Sequence, residues 1–153
     1  MYFHRRGKFE VKAYAKNRET KRALTTEGKA HGTIVYCGKD PVGWCQFGPK
    51  EELPRIDGKR GYKPTSDNLW RITCLFVASH HRRTGVAKFA VHESVRAMRN
   101  LKAKVIEAYP VESASSASLI WMGTTRMFES EGFTRVGPIG KRSWVYSLDL
   151  RKS

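Results

Sequence analysis

The fold of this chain is decided by residues 70–91, which read WRITCLFVASHHRRTGVAKFAV. The first eight residues are rich in β-branched and aromatic side chains, which predicts a largely buried strand. A basic turn follows, and an amphipathic pattern then predicts a helix that begins near Gly85. The unpaired N–H groups of a helix's first turn attract anions, and a glycine lets a phosphate approach them closely. The stretch therefore predicts a phosphate-binding turn, with mobile positive charge from Arg82 and Arg83.

The charge of the chain points to anionic partners. Its 153 residues, enough for one domain, include 29 Lys and Arg against 14 Asp and Glu, a formal net charge of +15. The excess is spread, since residues 1–30 hold nine basic and three acidic residues and residues 80–104 hold seven and one. Two interpretations stay open, solubility through net charge and an anionic partner such as RNA.

The cysteines and the hydropathy of the sequence indicate the cellular compartment in which the protein is expected. The three cysteines, Cys37, Cys45 and Cys74, are odd in number and lack the spacing of metal ligands. We therefore expect neither disulfides nor a metal, and a reducing cytoplasm. No apolar run approaches the roughly 20 residues that span a bilayer, and the first residues lack the apolar stretch of a signal peptide. We expect a soluble protein without a membrane partner.

The remaining pattern predicts an α/β sandwich built on a mixed sheet. Helices are predicted over 10–24, 86–101 and 123–131, and strands over 31–37, 42–48, 70–77, 104–110, 133–136 and 143–150. In the central helix the predicted core positions are Ala87, Ala90, Val91, Ser94, Met98 and Leu101. Residues 49–68 are predicted as a loop anchored by Leu53, Ile56 and Tyr62, and residues 113–118 as a loop or the start of a helix.

Two motifs resemble the GNAT family of N-acetyltransferases. The pattern Arg82-x-x-Gly85-x-Ala87, between a strand and a helix, resembles the family's acetyl-coenzyme A signature. The stretch 126–133 resembles the family's late helix ending in Gly-Phe, with Gly132 as its left-handed C-cap. The likeness extends over about residues 31–150 and implies a single domain, 1–153, with a mixed, mostly antiparallel sheet flanked by helices.

The front end departs from the family pattern, because no convincing first strand precedes residue 31. The resemblance therefore implies a shortened N-terminal part. One alternative is a short family form. The other is that a partner subunit, such as a second copy in a homodimer, completes the sheet, since an uncovered edge strand is a liability.

The resemblance also implies a cofactor site. The strand would pair with the pantetheine arm of acetyl-CoA, and the turn would hold its pyrophosphate, through Leu75, Phe76, Val77, Arg82, Arg83, Thr84, Gly85, Val86 and Ala87. Phe128 belongs to the same site, at the position where the family has a tyrosine general acid. That acid is therefore missing. Either the thiolate leaves without a dedicated proton donor, or another group such as Tyr109 supplies the proton.

Glu107 and Tyr109 are the predicted catalytic residues. They share one face of a short strand by its period of two, and that strand should border the cofactor cleft. A carboxylate there could deprotonate an ammonium, directly or through water. The alternative is that Glu107 pairs with a neighbouring cation and that Tyr109 is packing.

The function implied by the resemblance is acetyl transfer from acetyl-CoA to a primary amine, by direct attack in a ternary complex. The acceptor would be a small-molecule or macromolecular amine, and the charge would suit an aminoacylated RNA. The rival hypothesis is a non-enzymatic, basic nucleic-acid-binding module on a degenerate GNAT scaffold, consistent with Phe128 and the short front end.

Overall fold

The computed structural model describes residues 1–8, 10, 12–111 and 121–152. In chain order its helices and strands are α1 (Tyr14–Thr26), β1 (His31–Cys37), β2 (Asp40–Pro49), β3 (Leu69–Val77), α2 (Val86–Asn100), β4 (Val105–Ala108), α3 (Thr125–Glu129), β5 (Thr134–Ile139) and β6 (Ser143–Asp149).

All six strands form one sheet in the order β1-β2-β3-β4-β6-β5. The β3–β4 pair is parallel and the other four pairs are antiparallel. Helix α2 makes the crossover that a parallel pair requires. The predicted α/β fold with a mixed, mostly antiparallel sheet is confirmed.

The two faces of the sheet carry different cores. Helix α2 packs on β1, β2 and β3 and covers the main core, on what we call the helix face. The opposite side, the loop face, is covered largely by the chain's first residues and by short 3-10 turns within 50–58. Its smaller core contains Phe3, Leu53, Ile56, Tyr109, Ile139 and Val145. Strand β6 shows the alternation, because Tyr146 lies in the main core and Val145 in the smaller one.

Helix α2 starts close against the sheet. A Cβ added at Gly43 in β2 would lie 2.5 Å from the Cγ1 of Val86, so this glycine permits the approach. The predicted core face of α2 needs two corrections. Val95 is buried, whereas Leu101 is 49% exposed, because it caps the end of the helix and follows its last turn.

Several predicted boundaries differ from those observed. Helix α1 begins at Tyr14 instead of residue 10, since the segment before it turns back through a bond from the Asn17 amide to the Glu10 carbonyl. Helix α3 is shorter than 123–131, because Gly123 is left-handed with φ of 78° and Thr124 is extended. Gly132 has the predicted left-handed conformation, with φ of 88°, but the C-cap of α3 is Ser130, two residues earlier, because the helix ends at Glu129. The predicted loop at 113–118 lies outside the described residues.

The sheet has no described strand before residue 31, as the sequence pattern indicated. In the part of the chain that the structure describes, β1 is the first strand, and it lies at the sheet edge. Helix α1 buries no residue and so contributes little packing. None of the described helices is long and apolar enough to cross a membrane.

His4 ties the first residues and α1 to the loop face. Its Nδ1 donates to the Glu52 carbonyl at 2.9 Å, and its Nε2 lies 2.8 Å from Lys21 Nζ and 2.6 Å from Gln46 Nε2. Since Lys21 and Gln46 both offer N–H donors here, the ring is neutral and Nε2 is the acceptor. Burial, and then the charge of Lys21, lower the pKa of His4 from 6.5 to about 4.

Acid should loosen this attachment. Because the folded pKa of His4 lies below its unfolded value, its contribution is complete above pH 6.5 and is lost as the pH falls through about 4. We expect about 1–2 kcal/mol of unfolding free energy to depend on this window, a figure reduced because the ring is only half-buried. Urea unfolding at both ends of the window should show a smaller pH effect in His4→Gln than in the wild type. His92→Gln, at an exposed ring, is the control; an unchanged pH effect in His4→Gln would contradict the assignment.

Candidate active site

A slot opens in the sheet where β3 leaves β4. The two strands pair only as far as Ile72 opposite Ala108. Thr73 is then an extra residue in the register between β3 and β2, which makes a bulge and bends the strand. Beyond it, residues 74–77 form ladder pairs, among the described strands, with β2 alone. We call the gap on their other side the slot.

Backbone groups of β3 that do not pair with β2 line the slot. The Ala78 N–H donates to the Val42 carbonyl in β2 at 2.8 Å. By the alternation of an antiparallel ladder, Phe76 also directs its backbone groups at β2, whereas Leu75 and Val77 direct theirs into the slot. The buried hydroxyl of Thr73 has no hydrogen-bond partner among the described residues. The slot therefore offers hydrogen-bonding groups to an extended ligand.

The turn before α2 is open to an anion. Gly85 is the N-cap with φ of 88°, and no side chain of a described residue caps the helix. The first helical bond runs from Phe89 N–H to the Gly85 carbonyl, which leaves the earlier N–H groups facing outward. A Cβ at Gly85 would meet no atom of a described residue within 4 Å, so these residues leave the approach open. This geometry fits a phosphate group.

The predicted cofactor residues differ in exposure. Phe76, Arg82, Arg83, Thr84 and Gly85 are exposed, Val77, Val86 and Ala87 are half-buried, and Leu75 and Phe128 are buried. Arg82 Nε already donates to the Val77 carbonyl at 3.3 Å, which joins the turn to the slot.

Leu75 and Phe128 form an apolar wall in the main core. A Cβ at Gly123 would lie 2.8 Å from Phe128 Cε2 and 3.0 Å from Leu75 Cδ1. The absence of a side chain at this position therefore allows Phe128 and Leu75 to pack closely around it. Phe128 also packs edge-on against Phe133, with ring centroids 5.3 Å apart. A phenyl ring carries no ionisable group, so this position gives no proton to a leaving group.

Glu107 lies buried on the loop face and accepts three hydrogen bonds. The hydroxyl of Tyr62 donates to its Oε2 at 2.6 Å, the hydroxyl of Tyr109 to the same oxygen at 2.7 Å, and the Thr65 N–H to Oε1 at 2.9 Å. Glu107 and Tyr109 are thus brought together as predicted from the strand period. Among the described residues, the hydrogen-bond partners of Glu107 are two phenols and a backbone N–H.

Arg71 completes this buried network. It has no exposed side-chain surface, pairs with Asp57, and donates to the hydroxyl of Tyr62 at 3.0 Å and to the carbonyls of Lys50 and Leu53. Burial alone would lower the pKa of Arg71, but Tyr109, Asp57 and Tyr62 reverse the direction and raise it. The guanidinium is therefore cationic and held in place.

The two tyrosines of the network hold their protons firmly. Burial, followed by the bond to Glu107, raises the pKa of Tyr62 to about 12. Burial and the charge of Glu107 raise the pKa of Tyr109 well above 10. A phenol of this kind is a weak acid toward a thiolate, and its bond to Glu107 suits it to position that carboxylate.

The sequence interpretation missed Arg71 and gave Tyr62 only an anchoring role. The available signal was a charged residue in the middle of an apolar strand, since a buried arginine needs partners. The described residues contain no group of three or more His, Cys, Asp or Glu side chains placed to bind a metal.

Comparison with known families agrees with this geometry. The model of the Acetyltransferase (GNAT) family matches residues 3–120. The chain belongs to this family. The match includes most of the front end as well as the slot and the turn. No curated protein matches the sequence.

Solved structures share the GNAT fold at low identity. The ribosomal-protein-alanine N-acetyltransferase of Brucella melitensis has a TM-score of 0.62 at 18% identity, covering 88% of this chain and 78% of its own. The protein yncA of Salmonella typhimurium, solved with its cofactor acetyl-CoA, has a TM-score of 0.61 at 14% identity, covering 92% and 76%. A Bacillus subtilis acetyltransferase in complex with CoA has a TM-score of 0.56 at 12% identity, covering 94% and 95%.

Proposed function

We propose that this GNAT domain is an N-acetyltransferase that uses acetyl-CoA and a primary amine in one ternary complex. The observation that carries the proposal is the slot in the sheet beside the uncapped start of α2. The backbone groups that line the slot and an anion-binding helix start lie next to each other, as an extended molecule with a pyrophosphate would require. The CoA and acetyl-CoA present in two similar structures support the same ligand.

The residues of the slot would bind and orient the cofactor. Acetyl-CoA, when bound, supplies the acetyl thioester. The backbone groups of Leu75 and Val77 would pair with its pantetheine arm, and the Val77 N–H would polarise the carbonyl. Arg82 and Arg83 would neutralise phosphate charge beside Gly85.

The buried network would accept a proton from the amine. Glu107 is the proposed base, and it lies behind the hydroxyl of Tyr62, which touches its Oε2. A proton from the acceptor ammonium could pass to Tyr62 as the phenol gives its own proton to Glu107. Tyr109 would hold the carboxylate in position. The neutral amine then attacks the carbonyl directly, without a covalent enzyme intermediate.

The cofactor site can be tested by titrating acetyl-CoA and desulfo-CoA calorimetrically into Gly85→Asp. A carboxylate at the start of α2 repels phosphate, and we expect affinity to fall by about 100-fold or more. Gly38→Asp is the matched control, since Gly38 also has a left-handed φ, of 60°, and open space around its Cβ position, but lies in the β1–β2 turn. The control should bind like the wild type.

The rival hypothesis, a nucleic-acid-binding module, predicts that the protein binds RNA and does not bind acetyl-CoA. If the wild type binds no acetyl-CoA but binds RNA with a steep salt dependence, the enzyme proposal fails and the rival replaces it. Equal loss of acetyl-CoA affinity in both aspartate variants would instead show that strain, not the phosphate site, is responsible.

A further inference from the structure

A second cavity lies away from the slot. It has a volume of about 750 Å³ and lies between the loop at 60–63 and the β5–β6 hairpin. Its lining residues are Arg60, Gly61, Tyr62, Lys63, Val136, Gly137, Pro138, Gly140, Lys141 and Val145. The cavity thus combines apolar walls with three cations, and none of its described lining residues is acidic.

Positive charge surrounds this cavity on both sides. Lys59 adjoins the lining residues of the loop, and Arg142 adjoins those of the hairpin; both are exposed, as are Arg60, Lys63 and Lys141. None of the five forms an ion pair with a described residue. Uncompensated like charges around one concave site repel each other, and a bound anion relieves that repulsion.

The cavity adjoins the proposed catalytic network. Tyr62 lines it and also donates to Glu107, and Val145 belongs to the smaller core together with Tyr109. A molecule whose amine reaches Tyr62 can therefore extend into the cavity.

We propose that this cavity binds the remote end of the acetyl acceptor, and that this end carries an anionic group, a carboxylate or a phosphate. The inference rests on the proposed function and specifies its substrate class as amines that are also anions. The apolar walls accommodate the carbon chain between the two groups, and the cations at 60, 63 and 141 select for negative charge.

The test compares acceptors that differ only in charge. The probes are 6-aminohexanoate, 6-aminohexanamide, in which a neutral amide replaces the carboxylate, and a series of aminoalkyl phosphates, each assayed with acetyl-CoA. In Lys63→Glu/Lys141→Glu, kcat/KM for the anionic probes should fall by about tenfold or more, because two attractive charges become repulsive. The amide should change by no more than about twofold. The carboxylate and phosphate arms decide which anion the site prefers.

Lys39→Glu/Lys104→Glu changes the net charge equally, at exposed lysines outside the cavity lining, and should leave the anionic probes unaffected. The NMR signals of the Val136 and Val145 methyl groups can be followed without acetyl-CoA. These signals should shift when 6-acetamidohexanoate is added and should not shift when 6-acetamidohexanamide is added.

Several results would overturn the inference. Equal use of the charged and neutral probes, an equal effect of the two lysine pairs, or unmoved Val136 and Val145 methyls would each do so. Salt-dependent RNA binding that is lost in Lys63→Glu/Lys141→Glu, with amine kinetics unchanged, would assign the cations to a nucleic acid. Failure to bind acetyl-CoA would refute the proposed function. The NMR experiment does not need the cofactor, so it tests the cavity separately.

Discussion

Replacing Arg71 with methionine should lower the free energy of unfolding by about 3–5 kcal/mol, the range expected when one partner of a buried ion pair is removed. Methionine keeps much of the apolar volume, so the loss would come from the polar groups left behind. These are the carboxylate of Asp57, the carbonyls of Lys50 and Leu53, and the hydroxyl of Tyr62. Chemical denaturation at neutral pH measures the change.

Arg151→Met is the matched control for this prediction. Arg151 also pairs with an aspartate, Asp149, but its guanidinium is exposed, so its loss should leave the unfolding midpoint almost unchanged. If Arg71→Met were as mild as the control, the network around Arg71 would not be a stabilising element of the loop face.

Glu107→Gln should reduce kcat/KM by about 10²- to 10⁴-fold, the usual contribution of a general base, without changing the affinity for acetyl-CoA. Glutamine preserves the size of the side chain but cannot take up the proton. Steady-state kinetics with a reactive amine measure the first quantity, and calorimetry measures the second. Activity should return at high pH, where the acceptor is already neutral.

Two further variants separate catalysis from structure. Tyr109→Phe removes one donor to Glu107 and should cost less activity than Glu107→Gln, as expected of a positioning residue. Glu27→Gln, at an exposed acid paired with Lys29, should behave like the wild type. If Glu107→Gln unfolds more easily while its folded fraction retains full kcat/KM, Glu107 is structural and the proposed base is wrong.

The features of the fold that could be predicted from the sequence are determined by residues that lie close to one another along the chain. The strand, turn and helix within 70–91 follow from a change in apolar periodicity at a glycine. The left-handed Gly132 follows from a helix that must end before Phe133. The strands of the two hairpins follow in the same way, from alternation on either side of turn residues.

The remaining features depend on contacts between distant residues. Glu107 meets Tyr62 and Thr65, which lie 45 and 42 residues away, so no local pattern marks them as partners. The bulge at Thr73 lies inside a mostly apolar strand without clear alternation, where an extra residue leaves no trace in the periodicity. The cavity at 60–63 likewise needs the β5–β6 hairpin to close it.

The slot between β3 and β4 is also a window through the sheet. The turn at Gly85 belongs to α2 on the helix face, whereas Glu107 and the cationic cavity belong to the loop face. Acetyl-CoA would reach the window from the helix face and the amine acceptor from the loop face, so neither would block the entry of the other. Under the proposed function, neither product would obstruct the departure of the other, and we expect no compulsory order of substrate binding or product release.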